Sequence, residues 1–269
     1  MPFIEVEKSR VHYTTRPGGP NAIVFLHGGF GSSSDLWTET MAALPPDWSA
    51  YAIDNVLHSD PPPGGYNVAA FARRAAAFAA ALGLERPVFA GHSMGGVVCQ
   101  LTALGAPERV GGLVLVCTGA SMTNHDLARR LLAELRDSAG SPAAMRAISA
   151  NWFRAEPPRA AFERYVANAT RAPLAAMVAV QESLIAADLR DELHHIDVPT
   201  LVVFGAHDTG RTFDHARMLL DGIAGSTLAV MKDSGHTPMI ETPGDFNAAL
   251  HGFLAKLALS PASLPGDHP

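Results

Sequence analysis

The sequence predicts an α/β protein with a mostly parallel central sheet and helices on both faces. Three observations predict it. Short apolar runs recur along the chain without the alternation of a half-exposed strand, which is typical of central strands covered on both faces. Segments with apolar residues at helical spacing separate these runs, as in βαβ units. A glycine-rich turn at 91–96 joins an apolar run directly to a helix-compatible segment.

Each apolar run predicts one strand, and two shorter strands open the chain as a hairpin or strand pair. In chain order, the predicted strands are Phe3–Glu7, Val11–Thr15, Ala22–Leu26, Ala50–Asp54, Val88–Gly91, Gly112–Cys117, Thr200–Gly205 and Thr227–Met231. The predicted helices between and after them are Asp35–Leu44, Val68–Leu82, Met94–Gly105, Phe213–Ile223 and Asp245–Leu257. The first of these helices has an entry rich in Ser and Asp, residues that cap helix N-termini. Pro107 ends the third, because proline cannot continue a helix.

The segment 119–198 interrupts this alternation of predicted strands and helices. It shows helical periodicity in several pieces and no convincing strand, and a structureless loop of that length is improbable in a compact domain. The candidate helices are Leu127–Asp137, Pro142–Phe153, Arg159–Thr170 and Leu174–Ala187. We therefore expect an α/β core at 1–118 and 199–257, a helical cap at 119–198, and a flexible C-terminal tail at 258–269.

The composition excludes several classes of protein. The chain has 269 residues, of which 48% are hydrophobic and 17% charged, with a formal net charge of −6. Without a cluster of Lys and Arg, nucleic-acid binding has no electrostatic support. No basic leader and no apolar run of about 18–20 residues is found, so neither secretion nor membrane insertion is expected. Cys99 and Cys117 lie in apolar segments, which favours a reducing, cytoplasmic setting.

The turn GHSMGG at 91–96 has the G-x-S-x-G pattern of a nucleophile elbow. In such an elbow the serine, here Ser93, occupies a strained backbone conformation, and glycines flank it because side chains would collide with the adjacent strand or helix. The helix that begins at Met94 directs its N-terminal N–H groups towards any anion that forms near Ser93.

A serine nucleophile needs a base, and the base needs an orienting acid. His236 follows the last predicted strand in a glycine-containing loop, and Asp208 follows the strand before it. Both therefore lie at the carboxyl edge of the sheet, where ligands bind in open α/β folds. His207 and Asp233 are the rival choices, but each lies too close in sequence to its partner to pair with it. The order Ser93, Asp208, His236 is the one expected for this arrangement.

Acyl chemistry also needs donors for an oxyanion. The Met94 N–H immediately follows the serine and is the first candidate. The second comes from the glycine-rich loop after the strand Ala22–Leu26, through the N–H of Gly29 or of Phe30. We favour Gly29, and we expect His27 to brace this loop.

Taken together, these segments resemble the α/β-hydrolase superfamily over nearly the whole chain. The matching segments are HGGFGSS at 27–33, GHSMGG at 91–96, APERV at 106–110, GAHD at 205–208 and GHTPMIETP at 235–243. Within the superfamily the chain looks most like small esterases, enol-lactone hydrolases, carbon–carbon bond hydrolases and cofactor-free haloperoxidases. One segment departs from the family pattern. Where relatives carry Asp-x-x-Gly-His-Gly-x-Ser, residues 54–61 read DNVLHSDP, so we expect a shorter loop with His58 exposed to solvent, the alternative being that His58 reaches the pocket.

The resemblance and the residues together predict a serine hydrolase that cleaves a small ester or lactone through an acyl-enzyme. Carbon–carbon bond hydrolysis or perhydrolysis on the same triad, and a non-hydrolytic receptor on the same fold, remain alternatives. No metal or organic cofactor is expected, because His194 and His195 point apart in a regular element and lack a third ligand nearby. We expect a monomer or small homo-oligomer. Residues expected to line the substrate pocket are His27, Met122, Trp152, Phe153 and Met177.

Overall fold

The computed structural model describes residues 2–30, 32–122 and 126–259. Within these residues an eight-stranded sheet forms the centre of the molecule, in the order β1-β2-β4-β3-β5-β6-β7-β8. The strands are β1 Phe3–Val6, β2 Ser9–Arg16, β3 Asn21–Leu26, β4 Trp48–Ile53, β5 Val88–His92, β6 Gly112–Val116, β7 Thr200–Gly205 and β8 Thr227–Met231. β1 and β2 are antiparallel to their neighbours, and every pairing from β4 to β8 is parallel. The predicted α/β class is confirmed.

The helices follow the strands as the periodicity predicts. They are α1 Ser33–Ala43, α2 Val68–Ala81, α3 Met94–Gly105, α4 Asp126–Asp137, α5 Pro142–Ala150, α6 Arg159–Arg171, α7 Leu174–Ala186, α8 Phe213–Gly222, α9 Pro238–Glu241 and α10 Pro243–Leu259. A capping box between Ser32 and Asp35 begins α1, and the Asn67 side chain caps α2 by accepting from the Ala70 N–H. α10 continues to Leu259, two residues into the expected tail. The remainder of that tail, 260–269, lies outside the described residues.

Burial explains which strands sit at the centre. β5, β6 and β7 are buried along their whole length, as their uninterrupted apolar runs predict. β8 carries a similar run but is the edge strand, and its Leu228 and Val230 are exposed. An apolar run therefore identifies a strand here without fixing its depth. Cys99 and Cys117 are free and buried, in keeping with their expected packing role.

The parallel register brings the strand ends that matter to one edge of the sheet. Leu26 of β3 lies beside Gly91 of β5, and His92 of β5 lies beside Val116 of β6. The loops after β3, β5, β7 and β8 therefore leave from a common edge. The helices α4 to α7 enter between β6 and β7, in the segment expected to be a cap.

Two smaller features differ from the prediction or add to it. A 3-10 helix, Arg190–His195, precedes β7, and in it the rings of His194 and His195 lie with centroids 3.8 Å apart. The expectation that these two side chains point apart is therefore wrong. Among the described residues, no helix combines the length and the apolar character needed to cross a membrane.

Candidate active site

The turn after β5 holds Ser93 in a strained backbone conformation. Its φ is 52° and its ψ is −111°, a region that side-chain-bearing residues seldom occupy. The Ser93 N–H donates to the Val116 carbonyl at 2.9 Å, and the Thr118 hydroxyl donates to the Ser93 carbonyl at 2.7 Å. These two hydrogen bonds hold the residue in place from the neighbouring strand.

The glycines around Ser93 are required by close approach of the backbone. A Cβ at Gly91 would lie 2.1 Å from the Gly95 carbonyl oxygen, and one at Gly95 would lie 2.3 Å from the Leu26 carbonyl oxygen. Both distances are shorter than any real contact of a Cβ, so the local backbone could not persist with alanine at either position. The sequence-based reading of this turn as a strained elbow therefore has a direct steric basis.

His236 and Asp208 are joined by a buried hydrogen bond. The His236 Nδ1 donates to Asp208 Oδ2 at 2.8 Å, and both residues are almost fully buried. This bond leaves Nε2 of the neutral imidazole as the nitrogen free to take a proton. His236 and Ser93 line one cavity, although no hydrogen bond between their side chains is found among the described residues. Such contacts commonly tighten only when substrate is bound.

The Asp208 carboxylate is held in its charged form. Burial acts to raise its pKa, but the charge of His236 and their hydrogen bond act against burial and hold the pKa below its ordinary value. Asp208 Oδ1 also accepts from the main-chain N–H groups of Gly210 at 2.7 Å and Arg211 at 2.8 Å. Because the Asp208 loop itself holds Oδ1 through these two hydrogen bonds, Oδ2 is fixed in position to accept from the His236 imidazole.

His92 lies beside the pair and is neutral. Its Nε2 lies 2.8 Å from the His236 carbonyl oxygen, which can only accept, so Nε2 carries the hydrogen. Burial, and secondarily the charge of His236, hold the pKa of His92 well below its ordinary value. The ring centroids of the two histidines are 4.6 Å apart. His92 therefore supports the main chain and ring of His236 without competing for its proton.

A concave cavity lies beside Ser93, and ligands usually bind in such concave sites. Its wall is mainly apolar, with a few polar groups near the serine. The lining residues outside the elbow and the histidines include Phe30, Met122, Leu127, Leu131, Trp152 and Leu184. The Phe30 and Trp152 rings stack with centroids 6.3 Å apart and form one side of the wall.

The structure places two of the five expected pocket residues on this wall, Met122 and Trp152. His27 is instead fully buried behind it, where Nδ1 lies 2.6 Å from the Gly28 carbonyl oxygen and Nε2 accepts from the Asn55 N–H. Phe153 packs edge-to-face on cap aromatic rings, and Met177 is buried within α7. These three side chains pack the structure around the cavity and do not line it.

The loop after β3 passes close to Ser93. A Cβ at Gly28 would lie 2.9 Å from His92 Nδ1 and 3.6 Å from the Ser93 Cβ, whereas nothing lies within 4 Å of a Cβ at Gly29. Gly29 and Phe30 line the cavity. The main-chain N–H groups of Gly29, Phe30 and Met94 have no hydrogen-bond acceptor among the described residues, so they are available to a ligand oxygen.

The helical insertion is fastened to the histidine loop. The His236 N–H donates to the Trp152 carbonyl at 2.9 Å. The Glu241 carboxylate accepts from the N–H groups of Gly235 and Thr237 through Oε1, and from the Arg154 N–H through Oε2 at 2.7 Å. One side chain on α9 therefore joins the histidine loop to the segment after α5. The sequence analysis did not single out Glu241, because its role depends on a fold contact between 154 and 241.

The segment 54–61 differs from what its sequence suggests. His58 is 29% exposed and its Nδ1 lies 2.9 Å from Asp54 Oδ2, which also contacts His12 Nδ1 at 2.7 Å. Burial acts to raise the pKa of Asp54, but the hydrogen bonds with His12 and His58 outweigh it and hold the pKa below its ordinary value. Asp54 and His58 keep the four-residue separation of the family pattern. The expectation of a solvent-exposed histidine is therefore wrong, because His58 is partly buried against Asp54, and it does not line the cavity beside Ser93.

Arg211 is a cavity residue that the sequence analysis missed. It is 5% exposed and lies three residues after Asp208 on the cavity wall. Burial lowers its pKa to about 10, which leaves the guanidinium charged at neutral pH. Its position in the loop after β7 was the available signal, since strand-end loops at this edge carry function.

The chain belongs to the alpha/beta hydrolase family, whose model matches residues 23–249. The fold, the turn at Ser93 and the Asp208–His236 pair agree with that membership. Among curated proteins, one assigned as the carbamate hydrolase RutD of Stutzerimonas stutzeri is 28% identical over 257 residues, covering 91% of this chain and 96% of the relative. The 3-oxoadipate enol-lactonase 2 of Acinetobacter baylyi is 24% identical, covering 91% and 93% respectively.

Among solved structures, the enol-lactonase of Burkholderia xenovorans LB400 superposes with a TM-score of 0.85 at 25% identity, covering 94% of this chain and 100% of the other. These similarities span whole chains, including the helical insertion. They support a hydrolase activity for this protein, acting on a small molecule.

Proposed function

We propose that this protein is a serine hydrolase that cleaves a small ester or lactone through an acyl-enzyme. Ser93 is the nucleophile, His236 the general base and Asp208 the acid that orients it. The observation that carries the proposal is the buried 2.8 Å hydrogen bond from His236 Nδ1 to Asp208 Oδ2, with His236 and the strained Ser93 on one cavity wall. The enol-lactonase relatives support the choice of substrate bond.

Acylation follows from this arrangement. Nε2 of His236 takes the proton of the Ser93 hydroxyl while Oγ attacks the carbonyl carbon of the substrate. The resulting oxyanion accepts hydrogen bonds from the Met94 N–H and from that of Gly29 or Phe30. Each such donor typically stabilises the transition state by about 3–4 kcal/mol. The leaving oxygen then takes the proton from His236 as the carbon–oxygen bond breaks.

Deacylation reverses the same proton transfers. Water gives a proton to His236 as its oxygen attacks the acyl carbon, and Ser93 leaves with that proton returned to its Oγ. Throughout, the Asp208 carboxylate stabilises the imidazolium that forms twice in each turnover. The acid product is released and the enzyme is regenerated without any further reactant.

We further propose that residues 119–198 act as a cap that selects the substrate, above a core formed by 1–118 and 199–257. Met122, Leu127, Leu131, Trp152 and Leu184 come from this segment and form much of the cavity wall. A mainly apolar wall of this kind favours a substrate with a small apolar part beside the scissile bond.

The test is a panel of p-nitrophenyl esters and aliphatic lactones of graded size, run with the native protein and with Ser93→Ala. Carbamates belong in the panel because of the RutD relative. The proposal expects turnover of an ester or lactone by the native protein and none by Ser93→Ala. If the native protein cleaved only a vinylogous diketone, the reaction would be carbon–carbon bond hydrolysis on the same triad. If turnover required added peroxide, the reaction would be perhydrolysis.

A second measurement isolates the nucleophile. A fluorophosphonate should add to Ser93, located by peptide mass, and should not label Ser93→Ala. If the native protein formed no adduct and cleaved none of the compounds in the panel, the proposal would be refuted. That result would favour a receptor on this fold.

A further inference from the structure

A positive charge is buried on the wall of the candidate active site. Arg211 is 5% exposed, in the loop that carries Asp208, and lines the cavity together with Ser93 and His236. The described residues that line this cavity include no aspartate or glutamate. Asp208 in the same loop acts on the Arg211 charge, but its carboxylate oxygens are hydrogen-bonded to His236 Nδ1 and to the N–H groups of Gly210 and Arg211, not to the guanidinium.

The guanidinium is poorly satisfied by the protein. Nη1 donates to the Gly210 carbonyl at 3.0 Å, and Nη2 contacts the Met122 sulfur at 2.7 Å, a weak acceptor. The Nε–H is buried and finds no acceptor among the described residues, and no carboxylate oxygen of those residues lies within 4.0 Å of the guanidinium. Burying a guanidinium whose donors lack strong acceptors is unfavourable, so the arrangement points to an acceptor supplied from outside the chain.

Arg74 shows how this chain satisfies a buried arginine for structural purposes. It is 1% exposed, and its two terminal nitrogens donate to the main-chain carbonyls of Asn55 and Asp60. Arg74 does not line the cavity. Arg211 differs on both counts, since it bonds one carbonyl and a thioether and faces the site where substrate binds.

A second unused donor lies on the same wall. The indole Nε1–H of Trp152 is buried without an acceptor among the described residues, although Trp152 lines the cavity. Buried Trp N–H groups usually find a partner. Two donors without acceptors on one small cavity favour an anionic ligand with more than one oxygen.

We propose that Arg211 binds a carboxylate of the substrate, so that the substrate class is a small ester or lactone that itself carries a carboxylate group. The planar guanidinium matches a carboxylate in geometry as well as charge. This inference rests on the proposed function for the identity of the scissile bond. Arg211 is a specificity-determining residue in this scheme and takes no part in proton transfer.

The test compares two esters with the same scissile bond, mono-p-nitrophenyl adipate and its methyl ester, p-nitrophenyl methyl adipate. The native protein should favour the free carboxylate by about 10–100-fold in kcat/KM, the range of a charge-assisted hydrogen bond. Arg211→Met should reduce this ratio to about threefold or less, and Arg211→Lys should keep part of it. The matched control is Arg217→Met, since Arg217 is 61% exposed on α8 and pairs with Asp214.

The ratio separates substrate recognition from structural damage. A purely structural role for Arg211 would lower kcat/KM for both esters in proportion and leave the ratio of the native protein, which would overturn the proposal. Equal use of the two esters by the native protein would overturn it as well.

Binding provides a readout that does not need turnover. Titration calorimetry with monomethyl adipate and Ser93→Ala should detect binding that weakens at least tenfold when Arg211→Met is added. If neither ester is cleaved, the proposed function is at fault, and this titration alone decides the carboxylate site. No binding to Ser93→Ala would refute it.

Discussion

Replacing Ser93 with glycine should make the protein more stable than replacing it with alanine, although both changes abolish turnover. The residue has φ 52° and ψ −111°, and such strain at a residue with a Cβ is worth about 1–3 kcal/mol. Glycine relieves it, at a cost of about 0.4–1 kcal/mol from the greater freedom of the unfolded chain. The net expectation is that Ser93→Gly is the more stable variant by about 1–2 kcal/mol.

The comparison isolates backbone strain because both variants lack the hydroxyl. The Ser93 main chain keeps its hydrogen bonds to Val116 and Thr118 in either case. For a chain of this size, 1 kcal/mol moves Tm by about 2–4 °C, so Ser93→Gly should melt about 2–8 °C above Ser93→Ala in a calorimetric scan. Ser93→Ala should itself lie within a few degrees of the native protein. If Ser93→Gly melted at or below Ser93→Ala, the turn would hold no strain and the reasoning would fail.

Three further outcomes are expected. Gly95→Ala should lower the free energy of unfolding in urea by about 1–3 kcal/mol or more, since its Cβ would lie 2.3 Å from a carbonyl oxygen; Gly105→Ala on the same helix, with open space around its Cβ, is the control and should not destabilise. Asp208→Asn should cut kcat by about 10⁴-fold on any ester the native protein cleaves, because the amide no longer fixes the imidazole tautomer; a fall of less than tenfold would contradict this role. Stability should drop as the pH falls below 6.5, because burial lowers the folded-state pKa of both His27 and His92 and the unfolded chain takes up protons first. The limiting slope is about 2.7 kcal/mol per pH unit for two such groups. Urea titrations at pH 7.5, 6.0 and 5.5 would show no such drop if these histidines took up protons as readily in the folded state as in the unfolded chain.

The sheet could be predicted from the sequence because its evidence is local. An apolar run such as Val88–Gly91, followed by the turn at 91–96, contains both the strand and the reason it stops. The same locality explains why the elbow was predictable. The burial of each strand could not be predicted, because it depends on which strands become neighbours in the sheet. Leu228 and Val230 of the edge strand β8, for example, are exposed.

The candidate acid and base could also be anticipated, since both follow directly from strand ends. The pocket could not, because its wall depends on how α4 to α7 pack above the sheet. Phe153 and Met177 have the large apolar side chains typical of pocket residues, yet they pack inside the insertion. Arg211 was missed for the opposite reason. Its charge suggests the surface, and only the fold shows that it is buried beside the serine.

The attachment of the Trp152 carbonyl to the His236 N–H has a mechanical consequence. A movement that lifted this end of the insertion from the sheet would pull on the backbone that carries the general base, and the contact of Glu241 with Arg154 resists the same movement. We therefore expect this end of the insertion to stay attached to the sheet while His236 is held by Asp208.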